Sequence, residues 1–212
     1  MIFTYCFLDL PAPPQSIIDA AYAALDNKEE RARVNALKQL PGYSEYQYRT
    51  ITKPDGTTFT TAGTHRYAIS KEFEEWVREN FQQEPKGCGI SIFDSMGPAL
   101  APHVDASRNF TVQYLLDAGG DNVETIWYRE KGHDVVRPDL RANFDPTATI
   151  DRYDRVEEID RVCLPTGQWA CLHANILHSV ENVKHPRIGI QISRDTTPDN
   201  IKWTYTSKIN TY

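Results

Sequence analysis

Read for its apolar and polar positions, the chain falls into a helix-bearing first part and, after Gly87, a strand-rich remainder. Residues 2–8 are apolar and aromatic and predict a strand, which Pro11, Pro13 and Pro14 prevent from continuing. Ile17, Ile18, Ala21, Ala24 and Leu25 recur at helical spacing, and a charged segment over residues 28–40 sets Val34, Leu37 and Leu40 on one side before Pro41-Gly42 ends it. Residues 43–64 are rich in Tyr, Thr and Gly and turn at Pro54-Asp55-Gly56, which predicts a hairpin; its aromatics either line a pocket mouth or are ordinary strand residues. Ser70 then N-caps a helix with Phe73, Trp76, Val77 and Phe81 at intervals of three and four, closed by Pro85-Lys86-Gly87. Its apolar stripe needs a sheet to pack on.

Beyond Gly87 the period changes to two. Residues 89–93 alternate, a Gly97-Pro98 break precedes Pro102-His103-Val104-Asp105, and residues 110–116 form another β-branched, apolar run. Gly119-Gly120-Asp121 turns the chain into residues 123–128, which carry Trp127. Periodicity is lost over residues 129–158, a polar stretch long for a connector that reads equally as a lid over a site or as a solvated insertion. Val162-Cys163-Leu164, a Pro165-Thr166-Gly167 turn and Trp169-Ala170-Cys171-Leu172 predict a hairpin, with both Trp127 and Trp169 read as core. Residues 187–193 make the last strong strand. There is no internal repeat, so the chain reads as one domain over residues 1–212, α+β and β-rich, with residues 1–86 as helical and strand support and residues 87–195 as the core.

Composition narrows the partners. The 212 residues, 40% hydrophobic and 25% charged, suffice for one generous domain with room for a pocket. A formal charge of −6 without any Lys/Arg run argues against a nucleic-acid partner. No stretch approaches the ~20 apolar residues of a membrane span, so no membrane partner is expected. The first residues lack a basic leader and a cleavage site, and a cytoplasmic location is expected. Cys6, Cys88, Cys163 and Cys171 hold no CxxC pair and read as buried, reduced thiols; Cys163 and Cys171 also flank one turn, where a cross-strand disulfide is geometrically open. None of these features sets an oligomeric state.

The candidate chemistry centres on His103-Val104-Asp105. On an extended strand His103 and Asp105 point the same way, about 6–7 Å apart along the backbone, so both can reach one metal ion. With six histidines in the chain, roughly 0.8 such His-x-acid pairs arise by chance. The pair gains weight from His178 and from Arg187, nine residues further on. Two histidines and a carboxylate on one side of a metal leave its other positions open, the arrangement of non-haem Fe(II) oxygenases. In Arg187-Ile188-Gly189-Ile190-Gln191-Ile192-Ser193 the isoleucines share one face and predict contact with the helices. Arg187, Gly189, Gln191 and Ser193 share the other, where a buried guanidinium needs an anion: a dicarboxylic 2-oxo acid held between metal and arginine, or an acidic neighbour such as Glu181.

His103-Val104-Asp105, His178 and Arg187 resemble the HxD…H…R pattern of the Fe(II)- and 2-oxoglutarate-dependent oxygenases. The segment from Trp169 through His178-Ser179-Val180-Glu181-Asn182 to Arg187 is similar to the prolyl 4-hydroxylase-like and aspartyl/asparaginyl-hydroxylase-like branches, and the resemblance covers residues 87–195. It implies a double-stranded β-helix core (jelly roll, cupin-like), Fe(II) on His103, Asp105 and His178, and 2-oxoglutarate with its C5 carboxylate on Arg187. O2 would be consumed, with release of succinate and CO2 and hydroxylation of an unactivated C–H bond in a small-molecule or peptidyl substrate. Asp105 fits hydroxylation, since members that halogenate usually lack this carboxylate. Many members place Ser or Thr two residues after the arginine; this chain has Gly189, and Tyr114, Gln113 and Thr125 are the candidates to replace that hydroxyl. His178 sits at the family's usual distance before Arg187, which ranks it above His173, while His65, His133 and His185 read as surface residues. Arg108 either braces the metal loop or meets a substrate anion. Set against the oxygenase is a non-enzymatic, cupin-like module that binds a ligand or holds Zn(II), and, third, a metal-dependent hydrolase or isomerase that leaves Arg187 without a task.

Overall fold

The computed structural model describes residues 3–38, 50–53, 55–60, 64–85, 87–93, 100–105, 108–131, 147–149 and 153–207. Strand β1 (Tyr5–Leu8) stops before the prolines, and helix α1 (Gln15–Asp26) follows, burying Ile17, Ala21 and Ala24. Helix α2 (Lys28–Lys38) is capped by Asn27, whose Oδ1 accepts from Glu29 N at 2.9 Å. Helix α3 (Lys71–Phe81) starts at the predicted cap: Ser70 Oγ accepts from Phe73 N at 3.2 Å, and Phe73, Trp76, Val77 and Phe81 are all buried. It ends where Gln82 turns left-handed, and Arg194 Nη1 donates to the freed Phe81 carbonyl at 3.2 Å.

The remaining described strands form two antiparallel sheets and a small hairpin. The larger sheet runs β14 (Trp203–Thr206), β1, β11 (Trp169–His173), β7 (Phe110–Asp117), β13 (Arg187–Arg194), β5 (Gly89–Phe93), β4 (Thr64–Tyr67). The smaller runs β10 (Val156–Cys163), β8 (Glu124–Glu130), β12 (His178–Glu181), β6 (Leu100–Asp105), β9 (Thr147–Thr149). Strands β2 (Thr50–Thr52) and β3 (Thr58–Thr60) pair around Asp55-Gly56, the predicted hairpin; residues 43–49 and Pro54 of that segment, and the Gly97-Pro98 break, lie outside the described residues.

Neighbour relations in the sheets are nested: β5 pairs with β13, β6 with β12, β7 with β11 and β8 with β10. The protein is thus β-rich with few helices, organised as a β-sandwich or jelly roll. Helices α1 and α3 cover one face of the larger sheet through Ile17, Phe73, Trp76, Val77 and Phe81 against Val112, Trp169, Ile190 and Ile192. Each such side chain fully withdrawn from water contributes about 1.5–3 kcal/mol. The opposite face meets the smaller sheet, where Tyr5 stacks on Trp127 with centroids 5.6 Å apart and Leu115, Ala170 and Leu172 fill in around them. Both tryptophans are core, as expected, with Trp127 at 0% and Trp169 at 1% exposure.

Three expectations fail. The hairpin across Pro165-Thr166-Gly167 is not formed, because β10 pairs with β8 in the smaller sheet whereas β11 pairs with β1 and β7 in the larger. The turn therefore carries the chain between sheets, and Cys171 lies opposite Cys6, not Cys163. All four cysteines are free, but Cys163 is exposed and Cys88 half-buried. Residues 156–158, inside the stretch read as aperiodic, open strand β10, whose outward charges pair across the ladder, Arg129 with Glu157 at 2.8 Å and Arg161 with Glu124 at 3.1 Å. A register shift between Glu158 and Asp160 breaks the alternation that would have revealed it. Residues 132–146 and 150–152 of the same stretch lie outside the described residues. No helix among the described residues is long and apolar enough to cross a membrane.

Candidate metal centre

Strand alternation puts His103 and Asp105 on one face of β6, and the β6–β12 ladder sets His178 directly opposite His103. The two imidazole centroids are 4.3 Å apart, His103 Nε2 lies 3.6 Å from Asp105 Oδ1, and one ligand atom from each of the three residues falls within 4.8 Å of the others. Among the described residues this is the one such group of His, Cys, Asp and Glu.

Each imidazole is fixed by a backbone carbonyl two residues upstream: Ala101 O lies 2.8 Å from His103 Nδ1, and Ile176 O lies 2.8 Å from His178 Nδ1. With Nδ1–H donating to these carbonyls, Nε2 is left with its lone pair free for a metal. Arg108 donates through Nη2 to Asp105 Oδ2, leaving Oδ1 turned to the histidines. Arg108 is the brace, the first of its two expected roles. Electrostatics agree with this geometry. Burial, reinforced by His103, pushes His178 down to about 3, so its ring is neutral at physiological pH. At Asp105 burial opposes the charge, but the cationic surroundings, Arg108 foremost, outweigh it and hold the carboxyl below its usual range. Two ring nitrogens and one carboxylate oxygen, gathered within 4.8 Å of one another, are donor types that suit a divalent transition metal.

Arg187 opens β13 and is 5% exposed, and burial pushes its guanidinium down to about 10, still charged at neutral pH. It has no ion pair among the described residues. Glu181, the acid expected to compete for it, instead accepts from Lys53 Nζ and from Tyr153 Oη, the latter at 2.8 Å. That cluster ties the β2–β3 hairpin to β12. Gln113 lies on the interior face beside Gly189, where a Cβ added to Gly189 would come within 2.9 Å of Gln113 Nε2. Thr125, 1% exposed on β8, has a hydroxyl with no hydrogen-bond partner among the described residues. Tyr114 is not brought to this interior: its neighbours along β7 alternate, and its ring packs on the helix side, 5.1 Å from Trp169. His173 is likewise apart from the metal group, its Nδ1 3.0 Å from Phe3 O and its ring 4.7 Å from Phe110. His185 is exposed, and His133 lies outside the described residues.

Sequence reasoning missed the two carbonyl acceptors. Their signal is a parity, each lying two residues before its histidine.

No protein-family model matches the chain, and no curated protein matches it. Among solved structures it is similar to an oxidoreductase of the 2OG-Fe(II) oxygenase family from Burkholderia pseudomallei, at 13% identity, over 89% of this chain and 98% of that one, with a TM-score of 0.30. A superposition that loose carries no inference about fold or function.

Proposed function

We propose that this protein is an Fe(II)- and 2-oxoglutarate-dependent dioxygenase that hydroxylates an unactivated C–H bond. The observation that carries the reading is a buried His103–Asp105–His178 group in the same β fold as a buried arginine with no ion-pair partner among the described residues. The nested pairing of eight strands across two sheets supports a double-stranded β-helix as its frame.

In this reading His103, Asp105 and His178 would hold Fe(II). Iron, 2-oxoglutarate and O2 together supply the oxidising chemistry, with succinate and CO2 as coproducts. The chain's own groups hold and orient. The Ala101 and Ile176 carbonyls keep both imidazoles in the ligating tautomer, and Arg108 restricts Asp105 to one donor oxygen. Arg187 pairs through its planar fork with the far carboxylate of 2-oxoglutarate, which relieves the cost of burying an unpaired cation. Gln113 and Thr125 contribute polar groups to the same interior. A small-molecule or peptidyl substrate would complete the reaction.

Purified protein loaded with Fe(II) under argon should develop a weak visible charge-transfer band on adding 2-oxoglutarate; no band at full iron occupancy would sink the proposal. His103→Ala and Asp105→Ala should abolish succinate formation, and Arg187→Ala should chiefly raise the 2-oxoglutarate concentration required.

A further inference from the structure

Strand pairing sets Trp127 against the metal group, directly opposite His178 in the β8–β12 ladder. Tyr128 N donates to Leu177 O at 2.8 Å, which makes the adjacent pair the hydrogen-bonded one. His178 and Trp127 therefore form a non-hydrogen-bonded pair, with Cα atoms about 4.5 Å apart and side chains on one face.

From Trp127 a row of touching rings runs to the surface. Trp127 stacks on Tyr5 with centroids 5.6 Å apart, and Tyr5 meets Tyr205 at 5.4 Å. Exposure rises along the row from 0% at Trp127 through 8% at Tyr5 to 50% at Tyr205. The other aromatic group, Trp76, Phe81, Tyr114 and Trp169, packs on the helix side of the larger sheet and is buried at every ring.

The residue types in the first row go beyond packing. Phe7, on the same face of β1, shows that a phenyl ring fills this space, 5.6 Å from Tyr5 and 6.0 Å from Tyr205. Indole and phenol add what phenyl lacks: each gives up one electron readily. The Trp127 indole N–H donates to the His173 carbonyl at 3.2 Å. A carbonyl is too weak a base to take that proton, so an oxidised indole keeps its positive charge and draws an electron from the ring stacked on it. Burial, then the hydrogen-bonded Tyr205 hydroxyl, raise the pKa of Tyr5, which stays a neutral phenol beside a second one.

Resting on the oxygenase reading above, we propose that Trp127, Tyr5 and Tyr205 form an electron relay that drains oxidising equivalents from the metal centre to the surface when no substrate takes them. Each event moves one electron inward: Trp127 gives it to the centre, Tyr5 refills Trp127, and Tyr205 refills Tyr5. Tyr205 releases its phenolic proton to water. The neutral tyrosyl radical then takes one electron and one proton from ascorbate or a soluble thiol, which is oxidised. Two events, with two protons from water, return the iron to Fe(II) and reduce to water the oxygen atom that a substrate would have received.

The test uses iron-loaded protein without substrate, oxidised either by O2 with 2-oxoglutarate or by stoichiometric hydrogen peroxide. Samples are freeze-quenched for paramagnetic resonance and digested for mass spectrometry. Wild type should give a tyrosyl radical that ascorbate quenches on mixing. Tyr205→Phe, at an exposed position and so safe for the fold, should strand the radical on Tyr5, where ascorbate quenches it several-fold more slowly. Tyr5→Phe, which keeps the ring, should lose the tyrosyl signal and gain oxygen on Trp127 and on the peptides carrying the metal ligands. No tyrosyl signal in wild type with either oxidant, or the same signal and oxidation pattern in Tyr5→Phe, overturns the relay while the oxygenase reading stands. Absence of the 2-oxoglutarate band from iron-loaded wild type removes that reading, and the relay with it.

Discussion

Strand β13 buries both of its faces, with opposite chemistry on each. Toward the helices Ile190 and Ile192 are 0% exposed and touch apolar neighbours. Toward the interior Arg187 and Gln191 are nearly as inaccessible, at 5% and 6%, yet polar, and Arg187 has no ion pair among the described residues. Burial is the same and its use differs. Apolar groups packed on the helices lower the free energy of the fold, whereas a guanidinium kept from water without a partner raises it and holds that free energy ready for a ligand.

The difference is open to attack from both sides. The largest effect should come from the helix face: Trp169→Ala removes the ring stacked on Trp76 at 5.4 Å and should cost about 3–5 kcal/mol in urea unfolding. The metal affinity of the folded fraction should be unchanged; a parallel fall in Fe(II) affinity would show that the two faces are not independent. Next is pH. Burial, then His103, pushes His178 from 6.5 to about 3, so between those values the unfolded chain binds a proton that the folded chain refuses. Metal-free protein should therefore lose stability as pH falls through that window, by at most ~1.4 kcal/mol per unit, and His178→Asn should flatten the slope. Smallest is Arg187→Met, which should leave the ligand-free protein as stable as wild type or about 1 kcal/mol more so, while 2-oxoglutarate binding is weakened. Clear destabilisation by Arg187→Met would mean that the arginine is structural, and the contrast between the two faces would collapse.

Much of this was readable locally. The cap at Ser70 and the stripe of Phe73, Trp76, Val77 and Phe81 specify α3, because caps and periodicity depend on near neighbours. The two faces of β13 follow from parity alone. Parity also held information that went unused: Gln113 and Tyr114 are adjacent on one strand, so only one of them can face the interior, and the apolar company of Val112 and Leu116 marks Tyr114 as the outward one. Strand β10 was hidden by charges that look like loop in one dimension and are cross-strand partners in three. The apparent hairpin over Pro165-Thr166-Gly167 failed for a related reason: a turn motif says that the chain reverses, not which sheet receives it.

The sequence by itself determined the kinds of group available and the face of its strand on which each one sits. His103 with Asp105, and Arg187 with Gly189, are each fixed by a spacing of two residues, which strand geometry turns directly into direction. Only the tertiary structure decided that His178 stands opposite His103, that Glu181 belongs to Lys53 and Tyr153 and not to Arg187, and that Gln113 fills the space beside Gly189. These are matters of register between strands distant in sequence, and register is selected by the summed burial of both sheets, a quantity no local window contains.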